Sequence, residues 1–387
     1  MKKIPVIYAS AFFMAITINS VALGIVFFAK ELFQASPSQV GGLNACYNLA
    51  YLLSCISCQA LVGRWMPQKS LVVAVSGLLA GMLITYFAPG LVWAYTGQIV
   101  CGIGTSFFWP PLMGWLSEGY EGPELARITG FYNLCWSSGT IISPLLSGFL
   151  SDMNATYPLV FSIAAYAATL AVFTYNFIKA NKERKTEAAE SSSKTFGHEA
   201  FMRYPSWVGV ACAWFTVGFL LSVFPLAMEE QMNLSRSHIG FILMFRALSA
   251  TVSMTVLGMV VFWQFRPLQL VCGHAMLAAS ILALGFVKEP IWAIILVTLT
   301  GLGAGQAYTN SIFHGVAGSK RRTLRMAIHE ILLSVGSVVG SYTGGIIYQH
   351  WGLAYACSTA AAVMMAAVLF DIVCWKACNN EIEFLDT

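Results

Sequence analysis

Leu91–Leu116 reads LVWAYTGQIVCGIGTSFFWPPLMGWL, 26 residues without a charged side chain. Crossing the hydrocarbon core of a bilayer takes about 20 residues of helix, so this run is long enough to span a membrane. Comparable runs recur before it and after it. They are Ile4–Ala29, Val40–Val62, Ser70–Ala88, Ala126–Leu150 and Pro158–Ile178, and then, beyond a polar stretch, Ser206–Met228, Ile239–Phe262, Pro267–Val287, Ile291–Gly315, Thr323–Ile347 and Trp351–Trp375. The expectation is an all-α membrane protein of twelve transmembrane helices. Composition agrees: 58% of the 387 residues are apolar and 10% charged, against about 25% charged in a soluble domain. Lys2 and Lys3 precede the first run as in a signal peptide, but the run exceeds the roughly 7–15 apolar residues of such a signal. It reads as the first span.

Lysine and arginine set the orientation, because cytoplasmic loops carry the excess. With the N-terminus inside and twelve alternating spans, seventeen basic residues fall on the inner side and only Lys30, Arg236 and Lys288 on the outer, with Arg246 left within a span. A missed or invented helix would invert every later loop. Both termini are therefore expected in the cytoplasm, of a plasma or bacterial inner membrane. Residues 1–180 form one six-helix bundle, 181–204 a cytoplasmic linker, 205–378 a second bundle and 379–387 a short acidic tail. The net charge of +4 supplies no field for nucleic acid. Of ten cysteines, nine fall inside apolar runs and Cys378 just after the last; none sits in an exterior loop, so disulfides are not expected. Cys55 and Cys58 have no second pair or histidine beside them to complete a zinc site. No metal and no cofactor is implied.

The two sides of the linker resemble each other. Gly102-Ile-Gly104 matches Gly301-Leu-Gly303 at an offset of 199, and Gly139-Thr-Ile-Ile-Ser143 with Gly148 matches Gly336-Ser-Val-Val-Gly340 with Gly345 at an offset of 197. Six spans is an even number, so the halves enter the membrane in the same direction as parallel repeats. Gly102-x-Gly104 follows no strand and opens no helix, so it is a packing motif and not a dinucleotide fingerprint.

Three stretches carry a family resemblance. Between spans two and three lies Gln59-Ala-Leu-Val-Gly63-Arg64-Trp65-Met66-Pro67-Gln68-Lys69. Span four carries Gln98-Ile-Val-Cys-Gly102-Ile-Gly104, and span five Gly139-Thr-Ile-Ile-Ser143-Pro144-Leu-Leu-Ser147-Gly148. In this order and placement they resemble the loop, span-four and span-five motifs of the major facilitator superfamily, over nearly the whole chain. Gly63 stands where the family's loop motif has an acidic residue, and Gln98 where its span-four motif has an arginine. The resemblance implies two parallel six-helix repeats, alternating access, and gating or hinge roles for Arg64, Lys69, Pro110, Gly139 and Pro144.

Polar residues within the spans are the candidates for contact with a solute. Asn44, Tyr47, Asn48 and Tyr51 share one helical face, as do Asn133, Trp136, Ser137 and Thr140. Span one adds Thr17, Asn19 and Ser20. Trp109 precedes Pro110-Pro111, which remove backbone donors and predict a kink. The second half offers Trp214, Arg246 and the stripe Gln306, Asn310 and His314, on a helix that the resemblance places beside the cavity. His274 lies on a helix that it places outside, and reads as packing. Asp371 is expected to reach interfacial water near the inner end of span twelve. For each polar group the structural alternative is an interhelical hydrogen bond worth about 0.6 kcal/mol. Arg246 and the pair His329-Glu330 are different, since a charge at the bilayer centre costs at least about 2.5–3.5 kcal/mol. Glu330, with His329, is the proton-coupling candidate; Arg246 and Glu330 read either as conditional partners or as a static ion pair.

The expected function is secondary active transport of a small organic solute, coupled to protons. There is no Gly-x-x-x-x-Gly-Lys-Ser/Thr loop to bind ATP, so an ion or solute gradient must supply the energy. Export of a drug or metabolite by proton antiport and transport of an organic anion held by Arg246 are alternatives. The expected partners are a small-molecule substrate, a proton or other ion gradient and the lipid bilayer, with the chain working as a monomer. A non-transporting receptor on the same fold is the alternative of another class. A membrane enzyme would need a reactive cluster at a membrane face, and His329-Glu330 has no metal-ligand partner at helical spacing.

Overall fold

The computed structural model describes residues 3–62, 65–117, 120, 122–182, 201–317 and 322–385. Among them the chain forms thirteen helices and no strand. Arg64 and residues 183–200, most of the expected linker, lie outside the described residues. Two compact units emerge, one of Met1–Ala189 with Asn233–Met244 and one of Glu190–Met232 with Phe245–Thr387. The first holds α1 (Lys3–Phe33), α2 (Pro37–Val62), α3 (Pro67–Tyr86), α4 (Leu91–Ser106), α5 (Trp109–Ser117), α6 (Gly122–Met153) and α7 (Tyr157–Lys182). The second holds α8 (Arg203–Met232), α10 (Pro267–Leu284), α11 (Pro290–Val316), α12 (Arg322–Trp351) and α13 (Leu353–Leu385). Helix α9 (Arg236–Met259) starts in the first unit and continues in the second.

Among the described residues, ten spans are long and apolar enough to cross a membrane. The other two expected spans, α2 and α6, are those with the amide and hydroxyl stripes, whose polarity lowers their hydropathy. Span four is a single apolar run but two helices, α4 and α5, separated by a turn at Phe107-Phe108. The break falls two residues before the prolines for a simple reason. Pro111 has no N–H to give the Phe107 carbonyl, its i−4 partner. That oxygen instead accepts from the Ser70 hydroxyl of α3 at 3.2 Å. Trp109 and Pro110 then open α5, where a missing N–H costs nothing.

The internal repeat is visible in the packing. A Cβ on Gly102 of α4 would run into the Tyr47 carbonyl of α2, and one on Gly301 of α11 into the Arg246 carbonyl of α9. A Cβ on Gly104 would come within 2.9 Å of Leu78 N on α3, and one on Gly303 within 2.8 Å of Leu277 Cβ on α10. Every one of these pairs keeps the 199 offset. The two glycines of each Gly-x-Gly lie about 200° apart around their helix, so the helix is gripped closely from both sides. The pairs α1·α6 and α8·α12 repeat likewise. Gly139 abuts the Phe12 carbonyl, Gly336 that of Ala211 and Gly340 that of Phe215. Small residues at every fourth position, Gly139-Ser143-Ser147 and Gly336-Gly340-Gly344, let these backbones meet.

Pro144 interrupts the ladder of α6 and frees the Thr140 carbonyl, which accepts from Ser143 Oγ at 3.0 Å. Ser20 and Ser147 then tie α1 to α6. Ser20 Oγ donates to the Ser143 carbonyl at 3.2 Å, and Ser147 Oγ to the Ser20 carbonyl at 2.8 Å.

Candidate functional site

In the first unit, several candidate polar groups bond to their own or neighbouring helices. Tyr47 Oη pairs with Thr105 Oγ1 at 2.9 Å. The amides of Asn19 and Asn48 donate to the carbonyls four residues back, Ala15 and Asn44, each at 2.8 Å. Asn44 is buried, Asn133 exposed, and Trp136 and Trp109 half-buried, the last set edge-on to Phe108. Lys69 lies 4.5 Å above the Trp65 ring, which stacks on Phe107 at the break in span four. Gln98, where the family's motif has an arginine, is buried with its Nε2 unpartnered.

In the second unit the stripe on α11 packs against neighbouring helices. Gln306, Asn310 and His314 are 9%, 0% and 1% exposed, so they face the interior of the unit. Gln306 Nε2 donates to the Gln269 carbonyl of α10 at 2.7 Å, in the space left by Gly273. Both ring nitrogens of His314 are engaged, by Ser206 Oγ at 3.0 Å and by the Phe265 N–H at 3.2 Å. Asn310 donates to the Gln306 carbonyl, and its Oδ1 is orphaned. The physical reason is helical phase: Gly301 and Gly305 bind the α9 side of α11, which turns this stripe towards α10 and α8. The expectation for Asp371 is corrected. It is buried against His274 and does not reach an interface.

Trp214 of α8 lies 5.4 Å from Tyr308 of α11, and Tyr308 5.0 Å edge-on from His329 of α12. His329 is buried, with Nδ1 bonded to Ser311 Oγ at 2.8 Å. Tyr308 was missed because it falls between the stripe positions; a helical wheel placing it with Trp214 and His329 needs the packing of α8. Glu330, next in sequence, is exposed. Arg246 is half-buried, and its Nε is shielded and meets no acceptor. Among the described residues no ion pair joins Arg246 to Glu330. No group of three His, Cys, Asp or Glu side chains converges as a metal site among them either.

A second polar arrangement closes the first unit where α6 ends. Asp152 accepts the N–H groups of Arg236 and Ser237, at 2.8 and 2.9 Å, from the start of α9. Arg236 in turn reaches Glu31 of α1 at 2.8 Å and the Ser151 carbonyl at 2.9 Å. One turn back, a Cβ on Gly148 would come within 3.1 Å of Gly240 Cα. A carboxylate at a helix start satisfies orphan donors and the dipole together. Burial pushes the Asp152 carboxyl up, but hydrogen bonds from Ser237 and Arg236 more than offset it and hold it below its ordinary value. The stability it contributes is therefore present above the unfolded carboxylate pKa of about 3.9 and lost as pH falls through the lower folded value. Asp152→Ala is expected to cost about 0.3–1 kcal/mol near neutral pH. The melting-temperature difference from wild type should shrink on acidification; a difference that grows would remove this account.

A family model described as the Major Facilitator Superfamily matches residues 7–314 and 206–377. The chain belongs to the major facilitator superfamily. It is an integral, multi-pass membrane transporter and not an enzyme. It is 21% identical over 324 residues to "Multidrug resistance protein 1" of Bacillus subtilis (strain 168), covering 81% of this chain and 82% of that one. To "Multidrug resistance protein 2" of the same organism it is 21% identical over 403 residues, covering 100% and 98%. Among solved structures, a bacterial homolog of the human lysosomal transporter Spinster superposes with a TM-score of 0.68 at 15% identity, covering 97% and 96%. A nucleoside transporter does so with 0.75 at 11% identity, covering 97% and 100%. At such identities these structures share the superfamily's fold with the chain and carry no statement about its solute.

Proposed function

We propose that this superfamily member moves a small organic solute by alternating access, with protons entering at Glu330 and the solute contacting Arg246. The observation that supports this is the separation of the two charges. Arg246 has a buried Nε without an acceptor, and Glu330 is exposed rather than paired with it. A guanidinium keeps its proton, and a buried ion without a partner is costly. The Arg246 site therefore suits an anionic or carbonyl-bearing group of a solute. His329 is anchored through Ser311, which leaves Glu330 as the mobile proton carrier of the pair.

The test is a thermal-shift screen of the purified protein against metabolites and drugs, since a ligand stabilises by RT ln(1 + [L]/Kd). Hits bearing a carboxyl or carbonyl are expected to lose their shift in Arg246→Ala. Hits that keep it there would remove Arg246 from the solute site. A second reading, export by proton antiport, is favoured by the names of the two Bacillus relatives. Efflux from loaded proteoliposomes under opposite pH gradients separates it from uptake.

The proposal places both termini in the cytoplasm, on the strength of the basic residues. Single-cysteine reporters in a cysteine-free background carry the prediction: Ser193 and Ser319 label only from inside, and Ser36 from outside. Labelling of Ser193 in intact cells would sink the orientation.

A further inference from the structure

His274 and Asp371 face each other inside the second unit, away from Arg246 and Glu330 in sequence and chemistry. His274 Nδ1 lies 2.7 Å from Asp371 Oδ2, and the two side chains are 0% and 1% exposed. Each has one atom left without a partner, His274 Nε2 and Asp371 Oδ1. The imidazole is seated against Gly209 of α8, where a Cβ would collide with the ring. Beside the pair lies an apolar cluster that includes Ala213, Leu277, Met364 and Ala367.

The repeat supplies an internal control. Leu277 and Gly273 occupy the places of Leu78 and Ala74 in the glycine contacts described above, so His274 takes the place of Val75, a buried apolar residue. Helices α3 and α7, the counterparts of α10 and α13, contain no His, Asp or Glu. The first unit packs this helix pair without a His, Asp or Glu side chain. The fold therefore does not need an ionisable pair there.

Charge counting says what the pair can do. A neutral imidazole beside a carboxylate leaves one negative charge in an apolar interior, which is costly without a counter-ion. Among the described residues, the ionisable groups found in interaction with Asp371 are His274, the Cys212 thiol of α8 and the Cys374 thiol of α13 itself. From α11 the nearby side chain is the Gln306 amide, which lies over Gly273; α12 contributes no recorded charge to the pair. Among the described residues no lysine or arginine balances the carboxylate. One added proton, held by the ring or by the carboxyl, makes the pair neutral.

We propose that His274 and Asp371 together form a proton-binding site inside the second unit, distinct from Glu330 and reached by none of the solute contacts. The proton comes from solvent and returns to it, and its presence sets how α10 packs on α13 and α8.

The test uses full-length protein in nanodiscs and reads protonation directly, so its outcome is independent of whether Glu330 drives transport. In 15N-histidine spectra, with the His274 signal assigned by its loss in His274→Gln, the ring nitrogen signals are expected to move with pH in wild type as the shared proton is bound and lost. In Asp371→Asn, which keeps a hydrogen-bonding group of the same shape, that titration should shift or vanish. In parallel, the wild-type melting temperature should fall relative to Asp371→Asn as pH rises, because loss of the proton strands a carboxylate in the interior. Gly209→Ala should disturb the His274 signal without removing either ionisable group. His274 ring nitrogen signals that are the same at every pH overturn the proposal and leave a static hydrogen bond, since a proton on either partner alters the bond at Nδ1; this reading on wild type decides even if Asp371→Asn does not fold.

Discussion

Glu330→Gln is expected to abolish accumulation of the solute against its gradient while solute exchange continues near the wild-type rate. The substitution keeps the shape of the side chain and removes its capacity to carry a proton, so only the step that needs a proton is lost. Arg246→Ala is expected to weaken solute binding by about 1.5–3 kcal/mol, the range for a hydrogen bond to a charged group, or roughly 10- to 150-fold. The double variant Arg246→Ala with Glu330→Ala separates two roles. A static ion pair predicts recovered expression and recovered transport, because neither charge is left alone. Coupling through these residues predicts recovered folding without uphill transport. No ion pair joins Arg246 to Glu330 among the described residues, which favours the second outcome, and full transport by the double variant would defeat it. Unchanged pH-driven accumulation in Glu330→Gln alone would remove that residue from the mechanism.

Gly340→Leu is expected to leave no folded protein. The Cβ alone would collide with the carbonyl of Phe215 on α8, and a backbone atom cannot move aside as a flexible side-chain tip can. Overpacking commonly costs about 1–3 kcal/mol, and here three further carbons would follow into the crossing of α12 with α8. Gly130→Ala is the matched control, since nothing lies within 4 Å of its added carbon. It should be tolerated, and within a helix can gain up to about 1 kcal/mol from propensity. Fluorescence-detected size-exclusion chromatography and thermal melting read both variants. A monodisperse Gly340→Leu peak at the wild-type melting temperature would contradict the packing described.

Much of the architecture was legible in the sequence, because a bilayer demands long apolar runs, and length and hydropathy are local properties. The Gly-x-Gly repeat was legible for the same reason, glycine being required wherever two backbones must touch. The kink in span four was legible from Pro110-Pro111, but its place at Phe107-Phe108 was not. Its position depends on which carbonyl Pro111 abandons and on Ser70, which comes from a different helix. The solute-facing residues were harder to read. Gln306, Asn310 and His314 obey helical spacing, yet spacing gives a common face without saying which way the face points. Only the glycine contacts of α11 fix that direction. His274 and Asp371 lie 97 residues apart, and no pattern along the chain announces a pair formed at that separation.

The matching contacts also record where chain length has been free to change. Along the first four spans of each half the correspondence is 199 residues, at Phe12 with Ala211, Tyr47 with Arg246, Leu78 with Leu277 and Gly102 with Gly301. By Gly139 and Gly336 it is 197. Two residues were therefore lost or gained between Gly104 and Gly139 or in their counterparts, and nowhere else along these five spans. A single residue added inside a helix would rotate every later contact by about 100° and turn the gripping glycines away from their partners. The interval between Gly104 and Gly139, which includes the turn at Phe107-Phe108 that α11 lacks, absorbs the two residues without turning Gly139 from Phe12 or Gly336 from Ala211. Length variants of this chain should accordingly survive at that turn and fail within the helices on either side of it.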